Sequence, residues 1–430
     1  MTTMEEVQAA PPPPAEPLAP VAANERNETI DILRGMALFG ILAANMRGFA
    51  GPALAYFNPA IFWTLTHDRI AQAFVDTFIQ GKFITLFAFL FGVGFAVQLE
   101  RSTSRAGKFG LTYARRLFIL LLFGLIHGLL IWWGDILLVY ALTGFLLLLF
   151  RKRKNKTLLV WAIVAFCVPL LLMTAAFTAS RMGHAPKGPP QPTQQELNKS
   201  VQTFANGSWK EIEVARAHDA FMYNWRFTFI FFIHVLALFL FGALSWRKGL
   251  FTPSPESLPR YRRMMWIGLI VGIAANLTIS IVRWKFQIPQ MPTTPLAAMV
   301  GLLSMFGVPM LSIGYLCFVI LMCQNEATRA RLRRFGAVGR TALTNYLLQS
   351  VIGTLIFYHY GLGLFGRVGP AILFALTIVI YALQVVASQW WLERYRYGPV
   401  EWVWRSLTYG RRLPLSRDTA VVAADAPAVT

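Results

Sequence analysis

Long apolar stretches separated by short polar loops run through most of the chain. Ten of them are long enough to cross, or nearly cross, a hydrocarbon core of ~30 Å at a rise of ~1.5 Å per helical residue. They lie near residues 30–48, 77–98, 116–133, 136–150, 157–179, 226–245, 264–283, 296–322, 341–361 and 369–391. The pattern predicts an all-α polytopic membrane protein with about ten transmembrane helices.

The distribution of basic residues predicts the orientation of these helices. Lys and Arg cluster in the loops after the second, fourth, sixth and eighth stretches and again near the C-terminus. Short loops rich in Lys and Arg remain in the cytoplasm. Ten helices place every one of these clusters on the same side, so we predict that both termini are cytoplasmic.

Composition supports this class and excludes others. The 430 residues are 56% hydrophobic and 14% charged, with a mean hydropathy of +0.51, which is too apolar for a soluble protein of this size. The formal charge of +20 lies in the loops, so we expect a lipid bilayer and no nucleic acid as partner. Cys167, Cys317 and Cys323 lie inside apolar stretches, and we predict neither disulfides nor a metal site.

The chain divides into one helical domain and two tails. Residues 1–28 are rich in Pro and Ala and lack the apolar core of a cleaved signal peptide, so we predict a disordered tail. Residues 29–412 form the membrane domain, and residues 413–430 form a second disordered tail. Outer-face loops are predicted near 49–76 and 180–225. The second loop opens with HAPKGPPQPTQQ and continues into an amphipathic helix through Trp209, Ile212 and Phe221. Such a segment covers an external substrate or lies on the membrane as a connector.

Polar side chains at membrane depth are the candidate functional residues. His127 lies inside the apolar run RRLFILLLFGLIHGLLIWWGD, where an ionisable group is costly. Eleven residues separate Arg116 from His127, and eleven separate Arg34 from Asn45. Each interval is ~16 Å along a helix, which places two arginines at the inner rim and two polar groups deeper. This arrangement suits a phosphate-bearing ligand, although arginines at an interface also bind lipid phosphate.

Other polar residues leave alternatives open. A continuous third helix would place Asp135 ~12 Å beyond His127, too far for contact. We therefore predict that Asp135 caps the fourth helix, as Thr29 caps the first; the alternative is an acidic group at the outer mouth that orients a proton or hydroxyl. Asn345 in GRTALTNYLLQS binds a ligand or a neighbouring helix. His234 lies at the depth of His127, so haem ligation is a rival function.

Five segments carry a resemblance to a known family. They are IDILRGMALFGILAANM, GKFITLFAFLFGVGF, RRLFILLLFGLIHGLLIWWGDILLVYALTG, GRTALTNYLLQS and YGPVEWVWRSLTYG. Together they resemble the bacterial YeiB-type family, known as domain of unknown function 418, over nearly all of residues 26–412. That family is similar in turn to membrane acyltransferases, including the sugar O-acyltransferases and heparan-alpha-glucosaminide N-acetyltransferase. The resemblance implies a bacterial inner-membrane protein that passes an acetyl or similar group from cytoplasmic acyl-CoA to an envelope sugar or small alcohol.

The resemblance also implies roles for individual residues. The O-acyltransferases carry an Arg, ten residues and a catalytic His in the first helix, whereas this chain has Arg34 followed by Asn45. Catalysis then falls to another base, and His127 lies in the most distinctive motif of the family. Asp135 is the second candidate catalytic residue, through the outer-mouth alternative given above. Arg34 and Arg116 would hold the CoA phosphates, with Asn45 and Asn345 as further substrate-binding residues. The alternative function is a transporter or exporter of a small anionic or sugar-like solute.

Overall fold

The computed structural model describes residues 26–103, 109–182, 193–225, 228–286, 288 and 294–417. Most of the predicted N-terminal tail, residues 184–192 of the Pro-rich link and residues 418–430 lie outside this part. In the described residues the regular elements are helices, and one isolated bridge joins Tyr395 to Ser416. The prediction of an all-α protein is confirmed.

Sixteen α-helices are present in the described ranges. They are α1 Glu28–Ala50, α2 Ala53–Phe57, α3 Thr66–Phe78, α4 Lys82–Thr103, α5 Phe109–Ile126, α6 Leu137–Leu147, α7 Asn155–Arg181, α8 Gln194–Asn206, α9 Trp209–Asp219, α10 Thr228–Arg247, α11 Leu258–Phe286, α12 Pro295–Met322, α13 Glu326–Arg340, α14 Ala342–Phe357, α15 Pro370–Arg394 and α16 Pro399–Tyr409. Short π-helical segments follow α5 at His127–Ile131 and α9 at Ala220–Trp225.

Ten apolar helical segments occupy the ten predicted stretches. Seven are long and apolar enough to cross a membrane, namely Glu28–Ala50, Thr66–Ser102, Phe109–Ile131, Asn155–Ala179, Pro255–Phe286, Pro295–Met322 and Pro370–Arg394. Three are shorter, namely Leu137–Phe150, Phe232–Arg247 and Ala342–Phe357. The chain is therefore a helical membrane protein. The count of ten crossings and the cytoplasmic termini stay predictions.

Helix α1 lies at the centre of the fold, in contact with α4, α13, α14 and α15. A Cβ atom added at Gly35 or Gly339 would overlap backbone atoms of the facing helix, so the backbones of α1 and α13 touch. The N-cap of α1 is Asn27, whose side chain accepts from the Ile30 amide at 3.4 Å. The predicted cap, Thr29, is wrong by two residues and lies inside the first turn.

The predicted outer-face loops are largely helical. Residues 49–76 contain α2 and most of α3, and a positive φ at Gly81 separates α3 from α4. The described part of 180–225 forms α8 and α9, each opened by a capping box. Ile212 is buried in α9, whereas Trp209 and Phe221 are exposed. At the C-terminus, Leu413 is buried and the Leu415 carbonyl accepts from the Arg396 amide, so the first residues of the predicted tail contact the helical domain.

Candidate functional site

The third membrane stretch does not continue as a regular helix through its polar end. Helix α5 ends at Ile126, His127–Ile131 form a π-helical turn, and Trp132 is extended, with φ −156° and ψ 133°. This irregular turn brings Asp135 back toward His127. The prediction that these two residues are too far apart for contact is therefore wrong, because it assumed a continuous helix.

His127 forms hydrogen bonds through both ring nitrogens. Its Nδ1 lies 2.9 Å from Oδ1 of Asp135, and its Nε2 lies 2.9 Å from Oγ of Ser350 in α14. All three side chains are buried. Because a carboxylate only accepts, Nδ1 carries the proton and Nε2 accepts from the Ser350 hydroxyl. This is the arrangement of nucleophile, base and orienting acid that activates a serine in acyl-transfer enzymes.

Asp135 has a second role, which the sequence predicted. Its carboxylate accepts from the amides of Leu137 at 3.1 Å and Leu138 at 2.8 Å, so it caps α6. The cap holds the carboxylate in one orientation, and that orientation presents Oδ1 to His127. The capping and acid-base interpretations are thus compatible at this position.

Residues from the outer segment stabilise the irregular turn. Arg216 of α9 is fully buried and donates to the carbonyls of Leu129 at 2.9 Å and Ile131 at 3.0 Å. Asn224 donates to the carbonyls of Trp133 at 3.0 Å and Asp135 at 2.7 Å. These bonds satisfy carbonyls that a regular helix would have paired internally, so α9 and the π-helical segment after it help to hold His127 and Asp135 in place.

A cavity of about 530 Å³ extends from a set of arginines toward the His127, Asp135 and Ser350 side chains. Six arginines line it: Arg26, Arg34, Arg101, Arg116, Arg340 and Arg405. Its lining continues along α1 to Ile41 and along α5 to Leu120, and it includes Ile136, Leu137 and Tyr346. The last three residues adjoin Asp135 and His127, so one layer of side chains separates the apolar end of the cavity from them.

The cavity carries an excess of positive charge. Three carboxylates line it against six arginines, and each is engaged: Asp31 pairs with Arg34 at 3.6 Å, Glu100 accepts from the Trp246 indole at 2.6 Å, and Glu401 accepts from the Leu343 amide at 2.6 Å. Burial and the charge of Arg340 lower the pKa of Arg26 to about 10, and burial also lowers the pKa of Arg340. Both groups remain protonated at neutral pH, so the cavity attracts anions.

The structure brings some of the predicted site residues together and leaves others apart. Arg34 and Arg116 line the same cavity, and the Arg116 guanidinium stacks on Trp404 at 3.8 Å. Asn45 and Asn345 do not line it. The Asn345 side chain donates to Ser388 of α15 at 2.9 Å, which is the helix-packing alternative left open above.

Sequence reasoning missed Ser350 and Tyr346. Both lie in α14 within or beside GRTALTNYLLQS, four residues apart and hence on one helical face. The Tyr346 ring centroid is 5.1 Å from that of His127. Its hydroxyl lies near the backbone of Ile136 but makes no hydrogen bond of ordinary geometry within the described residues. The i, i+4 spacing of Tyr346 and Ser350 indicates a shared helical face, but in the sequence that spacing drew attention to Asn345 and Gln349 instead.

Haem ligation fits this geometry poorly. Both nitrogens of His127 are occupied by Asp135 and Ser350, so an iron at Nε2 would have to displace the serine. His234 lies in α10 against Phe166, with a ring-centroid distance of 5.9 Å. The geometry does not support the rival function.

Comparison with known proteins identifies the family. The family model described as "Protein of unknown function (DUF418)" matches residues 245–411. The chain is 38% identical over 423 residues to the uncharacterized protein YxaH of Bacillus subtilis, covering 94% of this chain and 99% of the relative. It is 34% identical over 399 residues to the uncharacterized protein YeiB of Escherichia coli, covering 89% and 96%. The chain belongs to the YeiB-type family of proteins of unknown function, DUF418.

Proposed function

We propose that this protein is a membrane acyltransferase of the bacterial inner membrane. It passes an acetyl or similar acyl group from cytoplasmic acyl-CoA to an envelope sugar or small alcohol. The observation that supports this most directly is a single cavity that joins a ring of arginines to the residues packed against His127, Asp135 and Ser350.

The two parts of the cavity match the two parts of an acyl-CoA. Arg34 and Arg116 supply charge-assisted hydrogen bonds for the phosphates at one end. The apolar lining beyond the two arginines accommodates the pantetheine arm, which is narrower than the nucleotide part of CoA. The arm directs the thioester toward Tyr346. The volume of about 530 Å³ lies in the range of ~300–1,000 Å³ typical of small-molecule sites.

The hydrogen-bonded group supplies the chemistry. Oγ of Ser350 does not line the cavity, so the reaction requires the layer formed by Ile136, Leu137 and Tyr346 to open. Oγ then attacks the thioester carbon while its proton moves to Nε2 of His127. The carbon–sulfur bond breaks, and the CoA sulfur leaves with that proton. The acceptor hydroxyl then attacks the acyl-serine, gives its proton to Nε2, and the proton returns to Oγ as the new ester departs. Asp135 holds the imidazole in the required tautomer throughout.

Calorimetric titration of acetyl-CoA into the protein in detergent tests the donor site. We expect saturable binding that Arg116→Gln weakens at least about tenfold, since a buried guanidinium–phosphate contact contributes more than ~1.4 kcal/mol. Arg115→Gln is the matched control, because Arg115 is exposed and does not line the cavity. A folded wild type that binds nothing at millimolar acetyl-CoA contradicts the proposal, as does equal weakening by both changes.

Transport of a small anion is the second candidate. The observation in its favour is that α1 carries an arginine toward each end, the half-buried Arg34 and the buried Arg47. Proteoliposomes loaded with a radiolabelled anion distinguish the two functions. Saturable flux without acyl transfer to any alcohol acceptor favours transport, whereas acyl transfer without flux favours the enzyme.

A further inference from the structure

Arg47 is a buried arginine that no part of the proposed reaction uses. It lies thirteen residues beyond Arg34 in α1, or ~20 Å along the helix, so it is near the opposite end of the fold. Its side chain is 3% exposed. Nη1 pairs with Oδ1 of Asp76 at 3.0 Å, but Nε and Nη2 have no hydrogen-bond partner among the described residues.

Further cations converge on Asp76. Arg69 and Arg283 line a small cavity together with Gln72 and Asp76, and the Nε atom of each arginine is buried without a partner in the described part of the chain. Nζ of Lys82 donates to the Asp76 carbonyl at 2.6 Å. Arg69 and Arg283 therefore line the cavity beside Asp76, and Arg47 and Lys82 bind Asp76 from outside the cavity lining. We call Arg47, Arg69, Lys82 and Arg283 the outer basic cluster.

An anion would accept hydrogen bonds from the N–H groups of this cluster that have no partner among the described residues. A buried N–H group without a partner destabilises the folded protein, and more so when the group is charged. Guanidinium groups bind the oxygens of phosphate, sulfate and carboxylate in planar, paired geometry. The cavity measures about 60 Å³, several times the ~15 Å³ that one water needs. We infer that the outer basic cluster binds an oxyanion, either free in solution or as the headgroup of an anionic lipid.

The cluster adjoins the His127 group through aromatic side chains. The Arg47 guanidinium lies over the Tyr56 ring at 4.6 Å, and Tyr56 packs against Trp133 at 5.6 Å. Trp132, next in the chain, donates to the Gly48 carbonyl at 3.1 Å, and its ring is 6.3 Å from that of His127. An anion in the cluster would thus lie on the opposite side of His127 from the arginine-lined cavity. The inference does not depend on acyl transfer.

Calorimetric titration of sodium phosphate into the full-length protein, at constant ionic strength, tests the cluster. The Arg116→Gln background is used throughout, so that the arginine-lined cavity contributes less to the signal. We expect Arg283→Gln to weaken saturable phosphate binding at least about tenfold. Arg181→Gln, which changes an exposed arginine at the end of α7, should leave it unchanged. Arg69→Gln serves as the second variant where Arg283→Gln lowers the melting temperature.

A lipid arm distinguishes the two sources of the oxyanion. The same variants are placed in nanodiscs of phosphatidylglycerol or phosphatidylcholine, and retained lipid is counted by native mass spectrometry. Phosphatidylglycerol retention that Arg283→Gln removes and Arg181→Gln preserves identifies a lipid headgroup, whereas phosphate binding alone identifies a free oxyanion. Either result supports the inference. Folded protein that binds neither, or binding equal in all variants, overturns it.

Discussion

At His127, the two hydrogen bonds decide what the imidazole can do. With the proton on Nδ1 and directed at Asp135, Nε2 is left to accept a proton from Ser350. The sequence identified His127 and Asp135 as polar groups in an apolar run, but not their contact. Ser350 was out of reach of local pattern reasoning, because 223 residues separate it from His127 and only the packed fold joins them.

Replacing Asp135 by Asn tests the tautomer argument. The amide oxygen at the Oδ2 position can still accept from the Leu138 amide, whereas NH₂ at the Oδ1 position no longer accepts from the Leu137 amide. That NH₂ faces Nδ1 and favours the tautomer with the proton on Nε2. We expect acyl-serine formation to fall about 10⁴-fold, with acetyl-CoA affinity within about twofold of wild type. Single-turnover labelling followed by peptide mass spectrometry measures the rate of acyl-serine formation. Asp68→Asn is the control, since Asp68 is also buried and caps α15 through the Ala371 amide. Similar rates in both variants would refute the role of Asp135.

Tyr346 is expected to donate its hydroxyl to the thioester carbonyl. The hydroxyl lacks an ordinary hydrogen bond within the described residues, and the ring lines the cavity beside His127. Loss of one oxyanion donor costs about 10²–10³ in rate, so Tyr346→Phe should lower kcat by that factor with little change in acetyl-CoA binding. Tyr140→Phe is the matched control, because its hydroxyl already donates to the Ile84 carbonyl at 3.2 Å. A loss in affinity rather than in kcat would assign Tyr346 to binding.

At the scale of elements, hydropathy predicted the apolar stretches to within a few residues in most cases. The interruption after Ile126 was not predictable from that pattern, because Leu129 and Ile131 are as apolar as the residues before them. The difference lies in a distant partner, because Arg216, 85 residues later, donates a hydrogen bond to the Ile131 carbonyl. Asn45 and Asn345 were predicted from residue type and spacing, and neither lines the cavity; a ligand-binding role for them stays a prediction.

The end of α9 predicts a pH-dependent stability. Burial raises the pKa of Asp219 to about 6, against a lowering by the hydrogen bond with His218. An unfolded aspartate has a pKa of ~4, so between pH 4 and 6 the folded chain holds a proton that the unfolded chain releases. Stability therefore falls as pH rises through this window. Asp219→Asn should gain about 3 kcal/mol at pH 8 and nothing at pH 4. Thermal unfolding at both pH values measures this, and an equal gain at both would rule out the titration.

For the whole molecule, the number of crossings decides where each loop lies. Ten crossings place Lys154 in the cytoplasm and Lys210 outside, whereas crossing by the seven long helices alone reverses both positions. Arg331 is cytoplasmic in either case. All three side chains are exposed, so each can be changed to Cys in a chain whose three cysteines are replaced by Ala. We expect a membrane-impermeant maleimide to label Lys210→Cys in intact spheroplasts, and Lys154→Cys and Arg331→Cys only after permeabilisation. Labelling of Lys154→Cys but not Lys210→Cys in intact spheroplasts would establish seven crossings and move the C-terminus to the outer face.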